Sequence, residues 1–304
     1  MPPEFLLNIG ILALWLLSLI ITFLYARSRN KNEHEQSVSN DHKNQPQSVA
    51  KYYDDWTQRY LDTYGEIIQA YRPSNTDELL RYTIQSIGLQ DGQRILDAGC
   101  GVCGPAVFFA KHLDLQIEAV TISPKQVEIG KTKIQEATVE NKVQVRQGDY
   151  HELSNIYEGQ EFDGILFLES LGHAANPQKV IQEAYKLTKR GGFIYIKDFF
   201  PKEEAHPVLA QQIGKVIDRI NDAYTYNVLD LYETLSALRS VGFEIIYIKR
   251  PGYENDIYIR ADFEKKNGIE LYGGKAEFVP AEWLEIKCQK IIYECNEVVK
   301  EGTW

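Results

Sequence analysis

Residues 94–104 read RILDAGCGVCG, a short apolar run that leads directly into three glycines spaced G-x-G-x-x-G. An apolar run ending in a glycine cluster predicts a buried strand followed by a tight turn. Residues 105–113 then predict a helix, because Pro105 is tolerated in a first helical turn. A strand, a glycine turn and a helix in this order often surround a ligand. The glycine spacing alone is weak, because dinucleotide-binding proteins and ordinary turns share it.

The segments that follow continue to alternate between strand and helix. Apolar runs predict strands over residues 116–122, 143–146, 162–168, 193–198 and 243–249, and the stretches between them predict helices over 124–138, 177–187 and 229–241. This order predicts an α/β fold with a parallel sheet covered on both faces. Ligands of such sheets bind beyond the carboxyl ends of the strands. The glycine turn and four polar residues fall near those ends and are expected to converge: Thr121, Asp149, Glu169 and Asp198.

Composition excludes several classes of protein. The chain has 304 residues, 44% hydrophobic and 25% charged, which is ordinary for a folded protein. Its net charge of −10 lies on residues 51–304, because the charges of the first fifty residues cancel, so a nucleic-acid partner is not expected. The cysteines indicate neither a disulfide scaffold nor a metal site, because the C-x-x-C of Cys100 and Cys103 lacks a second ligand pair. We expect these two cysteines to be small buried residues.

The N-terminal residues predict a membrane anchor. The run from Phe5 to Tyr25 carries no charge and is long enough to cross a bilayer as a helix. Basic residues follow at once, which predicts a single-pass protein whose main domain faces the cytoplasm. A cleaved signal peptide is disfavoured, because the start is not basic and no small-x-small cleavage site follows. The expected organisation is an anchor over 1–26, a flexible linker over 27–50, a main domain over 51–250 and an extension over 251–304.

Five motifs in order resemble the class I S-adenosylmethionine-dependent methyltransferases: ILDAGCGVCGPA, VTISPKQ, QGDYHEL, FDGILFLESLGHA and LTKRGGFIYIKDFF. The resemblance covers about residues 51–250 and implies a Rossmann-like domain with a seven-stranded sheet. Within the class, GCGVCGPA and ESLGHA are similar to the sterol C-methyltransferases. VTISPKQ is similar to the prenyl diphosphate C-methyltransferases and the cyclopropane fatty acid synthases.

The resemblance implies S-adenosylmethionine as the cofactor. The glycines would admit its methionine part, and Asp97 would face its ammonium group directly or through water. Thr121 and Gln126 can bond the ribose hydroxyls, while Asp149 is expected at the adenine amino group with Tyr150 against the ring. The full set of predicted cofactor-binding residues is Asp97, Gly99, Cys100, Gly101, Gly104, Thr121, Ser123, Gln126, Asp149, Tyr150 and Glu169.

The resemblance to these three families implies methylation of a carbon–carbon double bond in an apolar substrate. Such a reaction produces a carbocation, which must be stabilised and then lose a proton. Glu169, at the end of the fourth strand, is the predicted catalytic carboxylate, and His173 is predicted to relay a proton or to orient Glu169. Aromatic faces stabilise cations, and the predicted substrate-binding residues are Tyr52, Tyr53, Tyr60, Phe199 and Tyr224. The resemblance implies that residues 201–228 shape the acceptor pocket. We expect residues 251–304 to contain a strand near 256–263 and a helix over 280–299.

The leading functional hypothesis is a membrane-tethered enzyme that methylates a carbon of an isoprenoid or sterol-like lipid. Two alternatives remain open: N- or O-methylation of a lipid headgroup or small metabolite, and a non-catalytic scaffold that retains the cofactor fold. No metal is expected, except Mg²⁺ if the substrate is a diphosphate, for which Lys197, Lys202 and Arg219 are the candidate cations. The sequence leaves a homo-oligomer open.

Overall fold

The computed structural model describes residues 45–271 and 280–291. The predicted membrane anchor and residues 27–44 of the predicted linker lie outside the described residues. Within the described ranges, no helix combines the length and the apolar character needed to cross a membrane. The first described helix begins at Pro46 and therefore includes the last five residues assigned to the linker.

The order of elements follows the alternation seen in the sequence. Numbered along the described chain, the helices are α1 Pro46–Tyr64, α2 Thr76–Ile87, α3 Gly104–His112, α4 Pro124–Glu136, α5 Leu153–Ile156, α6 Pro177–Leu187, α7 Pro207–Tyr224, α8 Leu231–Val241 and α9 Ile257–Lys266. The strands are β1 Arg94–Ala98, β2 Gln116–Thr121, β3 Val143–Gln147, β4 Phe162–Leu168, β5 Thr188–Pro201, β6 Phe243–Lys249 and β7 Ala281–Lys290. Helix α7 occupies most of the predicted insertion over 201–228.

The seven strands form one sheet in the order β3-β2-β1-β4-β5-β7-β6. The pairs among β1 to β5 are parallel. Strand β7 lies between β5 and β6 and is antiparallel to both. The Rossmann-like α/β class with seven strands is therefore confirmed, and the prediction of a wholly parallel sheet is wrong at β7. The carboxyl ends of the parallel strands β1 to β5 lie at one edge of the sheet, where the predicted site residues meet.

The secondary structure predicted for the C-terminal extension is wrong in both places. Residues 256–263 do not form a strand: Asp256 caps α9 by accepting a hydrogen bond from the backbone N–H of Tyr258. Residues 281–290 form strand β7 rather than a helix. Leu284, Ile286 and Cys288 are buried in one apolar cluster, and this two-residue spacing is typical of a strand. Residues 292–299 of the predicted helix lie outside the described residues.

Two apolar clusters cover the two faces of the sheet. Adjacent residues of a strand point to opposite faces, so Leu96 and Phe167 join one cluster with Leu238 of α8. Ile95 and Leu166 join the other cluster with residues of α2 and α3. Each fully buried side chain of this size contributes about 1.5–3 kcal/mol to folding. The burial of both faces explains why the central strands read as continuous apolar runs.

Candidate active site

A first cavity of about 880 Å³ opens at the carboxyl edge of the parallel strands. It brings together most of the predicted cofactor-binding residues. They come from the ends of β1, β2, β3 and β4, from the turns after them and from the start of α4: Asp97, Gly99, Cys100, Gly101, Thr121, Gln126, Asp149, Tyr150 and Glu169. Gly104 and Ser123 do not line it. Gln69 and Ile68, in the loop between α1 and α2, do line it and were missed, because nothing in that loop resembles a binding motif.

The glycine turn packs its backbone tightly against two other segments of the protein, at Ser170 and at Glu66. Gly99 has a φ of 88°, and an added Cβ would lie 2.4 Å from Cβ of Ser170, so only glycine fits. A Cβ on Gly104 would lie 2.2 Å from the carbonyl oxygen of Glu66. Gly104 therefore lets α3 pack against the α1–α2 loop, and its contribution to the cavity is indirect.

Three buried polar atoms of residues that line this cavity have no hydrogen-bond partner: Gln69 Nε2, Asp97 Oδ2 and Gln126 Nε2. Asp97 is 2% exposed, and its Oδ2 is unpartnered. Burial raises the pKa of this carboxyl to about 7. Gln126 Nε2 is also unpartnered, while its Oε1 accepts a 2.7 Å hydrogen bond from Thr121. An unpaired acceptor and an unpaired donor fit a ligand that carries both an ammonium and hydroxyl groups.

The carboxylate of Asp149 is held in place by His151. Its Oδ1 accepts hydrogen bonds from the backbone N–H of His151 at 2.9 Å and from His151 Nδ1 at 2.6 Å. The backbone N–H of Asn176 donates to His151 Nε2 at 3.2 Å, so the ring proton lies on Nδ1. Burial alone would raise the pKa of Asp149, but the hydrogen bonds from His151 outweigh burial and lower it. His151 is thus a positioning residue that was missed, although it lies inside the QGDYHEL motif.

Ser123 fixes a helix instead of facing the cavity. Its hydroxyl caps α4 by accepting from the backbone N–H of Gln126 at 3.1 Å and donates to Asp54 of α1 at 2.5 Å. These contacts attach α1 to the start of α4. The attachment places the aromatic residues of α1 beside the cavity.

A second cavity of about 860 Å³ adjoins the first. Both cavities are lined by Tyr53, Ile68, Glu169 and His173. Four of the five predicted substrate-binding residues line the second cavity: Tyr53, Tyr60, Phe199 and Tyr224. Tyr52 lines neither, and its hydroxyl lies 2.6 Å from that of Tyr60. Further lining residues that were not predicted come from α1, α9 and the start of β7: Tyr64, Arg260, Glu264 and Trp283. Tyr226, in the loop after α7, also lines this cavity.

Glu169 lies at the junction of the cavities, and its carboxylate already receives several donors. It forms a buried ion pair with Lys197 at 2.8 Å, with side-chain exposures of 7% and 1%. It also accepts from the backbone N–H groups of Ala70 at 2.6 Å and Tyr71 at 3.4 Å. Its φ of 58° is unusual for a residue with a side chain, and such strain is often found at functional sites.

Lys197 also binds the loop between α1 and α2, through its ammonium group. Its ammonium donates to Gln69 Oε1 and to the carbonyl oxygen of Tyr71, both at 2.6 Å. Burial lowers its pKa, and the charge of Glu169 opposes that shift. The Glu169–Lys197 pair therefore fastens residues 69–71 to the ends of β4 and β5, where this loop forms a wall of both cavities.

His173 and Tyr53 form the second polar group at the junction. His173 Nδ1 lies 2.9 Å from the carbonyl oxygen of Thr225, and Nε2 lies 2.7 Å from the Tyr53 hydroxyl. Burial lowers the pKa of His173 to about 4, so the ring is neutral near pH 7. Next to it, the Tyr226 hydroxyl contacts Asp198, a carboxyl whose pKa burial raises to about 7.

Among residues 45–271 and 280–291, no group of His, Cys, Asp and Glu is arranged to hold a metal ion. Cys100 and Cys103 are both buried and free, with their sulfur atoms 3.7 Å apart. Lys197 is buried and engaged, and Arg219 donates to the carbonyl oxygen of Leu271. Of the Lys and Arg side chains in the described part of the chain, only Arg260 lines the second cavity, and it pairs with Glu264 at 3.5 Å.

Comparisons with known proteins show that the chain is similar to methyltransferases. Residues 96–196 match a family model described as a methyltransferase domain. The chain is 28% identical over 212 residues to a 27-O-demethylrifamycin SV methyltransferase of Amycolatopsis mediterranei, an alignment that covers 66% of this chain and 74% of that protein. It is 28% identical over 165 residues to a sterol 24-C-methyltransferase of Debaryomyces hansenii, covering 52% of this chain but only 42% of that enzyme.

A solved structure shares the fold. The geranyl diphosphate C-methyltransferase of Streptomyces coelicolor A3(2), solved with Mg²⁺, geranyl diphosphate and S-adenosyl-L-homocysteine, has a TM-score of 0.62 at 15% identity. The match covers 81% of this chain and 97% of that one. At this identity the likeness concerns the fold alone.

Proposed function

We propose, from the premise that this chain belongs to the class I S-adenosylmethionine-dependent methyltransferases, that it methylates a carbon of a double bond in a lipophilic, isoprenoid or sterol-like acceptor. The observation that carries the proposal is the second cavity. It is lined mostly by aromatic and aliphatic side chains and shares Tyr53, Glu169 and His173 with the first cavity. We call the first cavity the cofactor cavity and the second the acceptor cavity.

S-adenosylmethionine, the cofactor of this class, supplies an electrophilic methyl group on a sulfonium. The first cavity contains complementary groups for it. We assign the ammonium to Asp97, the ribose hydroxyls to Thr121 and Gln126, and the adenine amino group to Asp149, whose carboxylate His151 holds in place. The unpartnered atoms of Asp97 and Gln126 are the structural reason for two of these assignments.

The lining of the second cavity suits an uncharged acceptor. Five tyrosines, Phe199 and Trp283 contribute to its lining, and such rings stabilise a carbocation through their negative faces. Phe199 and Trp283 pack with ring centroids 4.9 Å apart. A diphosphate needs several cations, whereas the described lining offers only Arg260, already paired with Glu264. We therefore propose that the acceptor has no diphosphate and that the reaction needs no Mg²⁺.

The direct test is incubation of the full chain with methyl-labelled cofactor and a lipid panel. The panel contains a neutral isoprenoid alcohol, a sterol with a side-chain double bond and an unsaturated phospholipid. We expect label on carbon of one of the first two lipids, located by NMR. Label found only on nitrogen or oxygen would overturn the claim of carbon methylation, and a stimulation by Mg²⁺ would contradict the uncharged acceptor.

An N-methyltransferase is the second candidate, because Glu169 and Glu264 line an aromatic cavity. Aromatic rings combined with carboxylates also bind amines. This alternative predicts transfer to an amine-bearing metabolite or lipid headgroup with no label on carbon. Adding an ethanolamine-type headgroup to the same panel separates the two candidates in one experiment.

We further propose that residues 5–25 anchor the protein in a membrane with the catalytic domain on the cytoplasmic side. The support is the uncharged run followed by Arg27, Arg29 and Lys31. Tethering raises the encounter frequency with substrates that partition into the bilayer. A homo-oligomer remains compatible with this arrangement.

A further inference from the structure

The geometry points to the Tyr53 hydroxyl as the group that takes the proton from the methylated acceptor, with His173 as the proton's final holder. This inference rests on the proposed methylation of carbon. Both side chains line both cavities, so they lie where the transferred methyl group and the acceptor meet. Tyr53 thereby acquires a chemical role in addition to lining the acceptor cavity.

The direction of the Tyr53–His173 hydrogen bond follows from its neighbours. The carbonyl oxygen of Thr225 can only accept, so the His173 Nδ1 atom that lies 2.9 Å from it carries the ring proton. In the neutral ring, Nε2 then has a free lone pair and accepts the Tyr53 O–H at 2.7 Å. The phenol oxygen uses its hydrogen toward His173, and its lone pairs remain able to accept a proton from the cavity side.

Glu169, the other base at the junction, is poorly placed for this task. Its carboxylate receives the Lys197 ammonium and the backbone N–H of Ala70. Protonating it would remove the counter-ion of an ammonium that is 1% exposed, and an unpaired buried charge is costly. Glu169 is therefore a positioning residue that fastens the 69–71 wall, while the Tyr53–His173 pair carries no net charge before the reaction.

The proposed step balances without a further reactant. After methyl transfer, the C–H bond next to the cationic carbon breaks, and its electron pair forms the new C=C bond. The proton goes to the Tyr53 oxygen as the original Tyr53 proton moves to His173 Nε2. Tyr53 ends neutral and His173 ends as an imidazolium, which loses its proton to water after the product leaves. A C–H bond beside a carbocation is so acidic that a weak base is sufficient, which agrees with the low pKa of His173.

The variant Tyr53→Phe tests the relay, with Tyr157→Phe as the control, because Tyr157 is a buried tyrosine that lines neither cavity and whose hydroxyl has no hydrogen-bond partner. The acceptor is the panel lipid that the wild type methylates on carbon. We expect Tyr53→Phe to bind the cofactor within about twofold of the wild type by calorimetry. Its turnover should fall by about 10²-fold or more. Its products should shift toward isomeric alkenes and water-captured alcohols, because the cation loses its intended base.

Wild-type turnover and product ratio in Tyr53→Phe would overturn the inference, as would an equal change of product ratio in Tyr157→Phe. A second measurement does not depend on the acceptor. In ¹⁵N-histidine-labelled protein without substrate, we expect the chemical shifts of His173 to report the Nδ1–H tautomer, and the Nε2–H tautomer would overturn the relay. Failure of the wild type to methylate any panel lipid on carbon overturns the proposed function and removes the premise of this inference, whatever the tautomer.

Discussion

Asp97 shows how burial can prepare a residue for one ligand. Its carboxyl is buried with one unpartnered oxygen and a pKa of about 7. Water no longer stabilises its charge, and an ammonium in the cavity would do so instead. The sequence identified this residue because it directly precedes the glycine turn at the end of a strand. The raised pKa depends on packing and was not predictable from the motif.

The first prediction concerns the pH dependence of cofactor binding. In the free protein Asp97 is mostly protonated below pH 7, and binding an ammonium requires the ionised form. Affinity should therefore fall up to about tenfold for each pH unit below 7 and level off just above it. Calorimetry between pH 5.5 and 7.5 measures this. Asp97→Asn should bind weakly with little pH dependence, and a flat wild-type profile would contradict the assignment of Asp97 to the ammonium.

The second prediction concerns the Glu169–Lys197 pair. Removing one member leaves the other charge buried without a partner, so Lys197→Met should lower the free energy of unfolding by about 3–5 kcal/mol. The double variant Lys197→Met/Glu169→Gln should recover part of that loss, because it removes both charges. Urea denaturation measures all three proteins. A double variant less stable than Lys197→Met would show that the pair is not the main interaction of these side chains.

At the scale of elements, the loop between α1 and α2 matters as much as the motif-bearing turns. Gly104, at the start of α3, approaches the carbonyl oxygen of Glu66 in this loop. The backbone of residues 69–71 is held by Glu169 and Lys197. Contacts between α3 and the loop therefore fix the wall that both cavities share, even though Gly104 itself does not line them.

The third prediction follows from the space around Gly104. A methyl group there would lie 2.2 Å from a backbone oxygen, which cannot move away like a flexible side chain. Gly104→Ala should therefore destabilise the fold by about 1–3 kcal/mol and weaken cofactor binding as the loop shifts. Gly214→Ala is the control: this residue lies within α7 and has open space around it. It should be neutral or stabilising by up to about 1 kcal/mol. Equal effects in urea denaturation would refute the steric explanation.

The elements with strong local signals were predictable, and β7 was not. Strand β4 and helix α6 match the predicted ranges because an apolar run or a helical periodicity decides each of them locally. The helix was predicted from Pro280 and from the spacing of Trp283, Ile286, Ile291 and Ile292. In β7, Glu285 and Lys287 instead alternate with apolar residues, as in a strand. Its strand form depends on pairing with β5 and β6, more than thirty residues away in sequence.

At the scale of the whole molecule, the site combines parts of different predictability. The cofactor cavity is built from strand ends of consecutive β–α units, so its residues follow one another in recognisable motifs. The acceptor cavity takes Arg260 and Glu264 from α9 and Trp283 from β7, which meet only in the folded chain. No local pattern marks these residues. A sequence can therefore indicate the donor side of such an enzyme while leaving much of the acceptor side undetermined.

The last prediction concerns how the whole chain meets a bilayer. Residues 51–304 carry the net charge of −10, so an anionic lipid surface would repel them. The proposed attachment therefore relies on the uncharged run over 5–25. We expect the full chain to float with zwitterionic vesicles and to stay bound in 1 M salt, which would screen a purely electrostatic contact.

The variant Leu16→Asp/Leu17→Asp should lose this flotation, since each aspartate near the centre of a spanning helix costs about 2.5–3.5 kcal/mol. The control Asn30→Asp/Asn32→Asp adds the same charge outside the run and should float like the wild type. Flotation that vanishes in salt, or that survives the leucine substitutions, would assign attachment to another surface. The lipophilic acceptor would then have to reach the second cavity without the proposed tether.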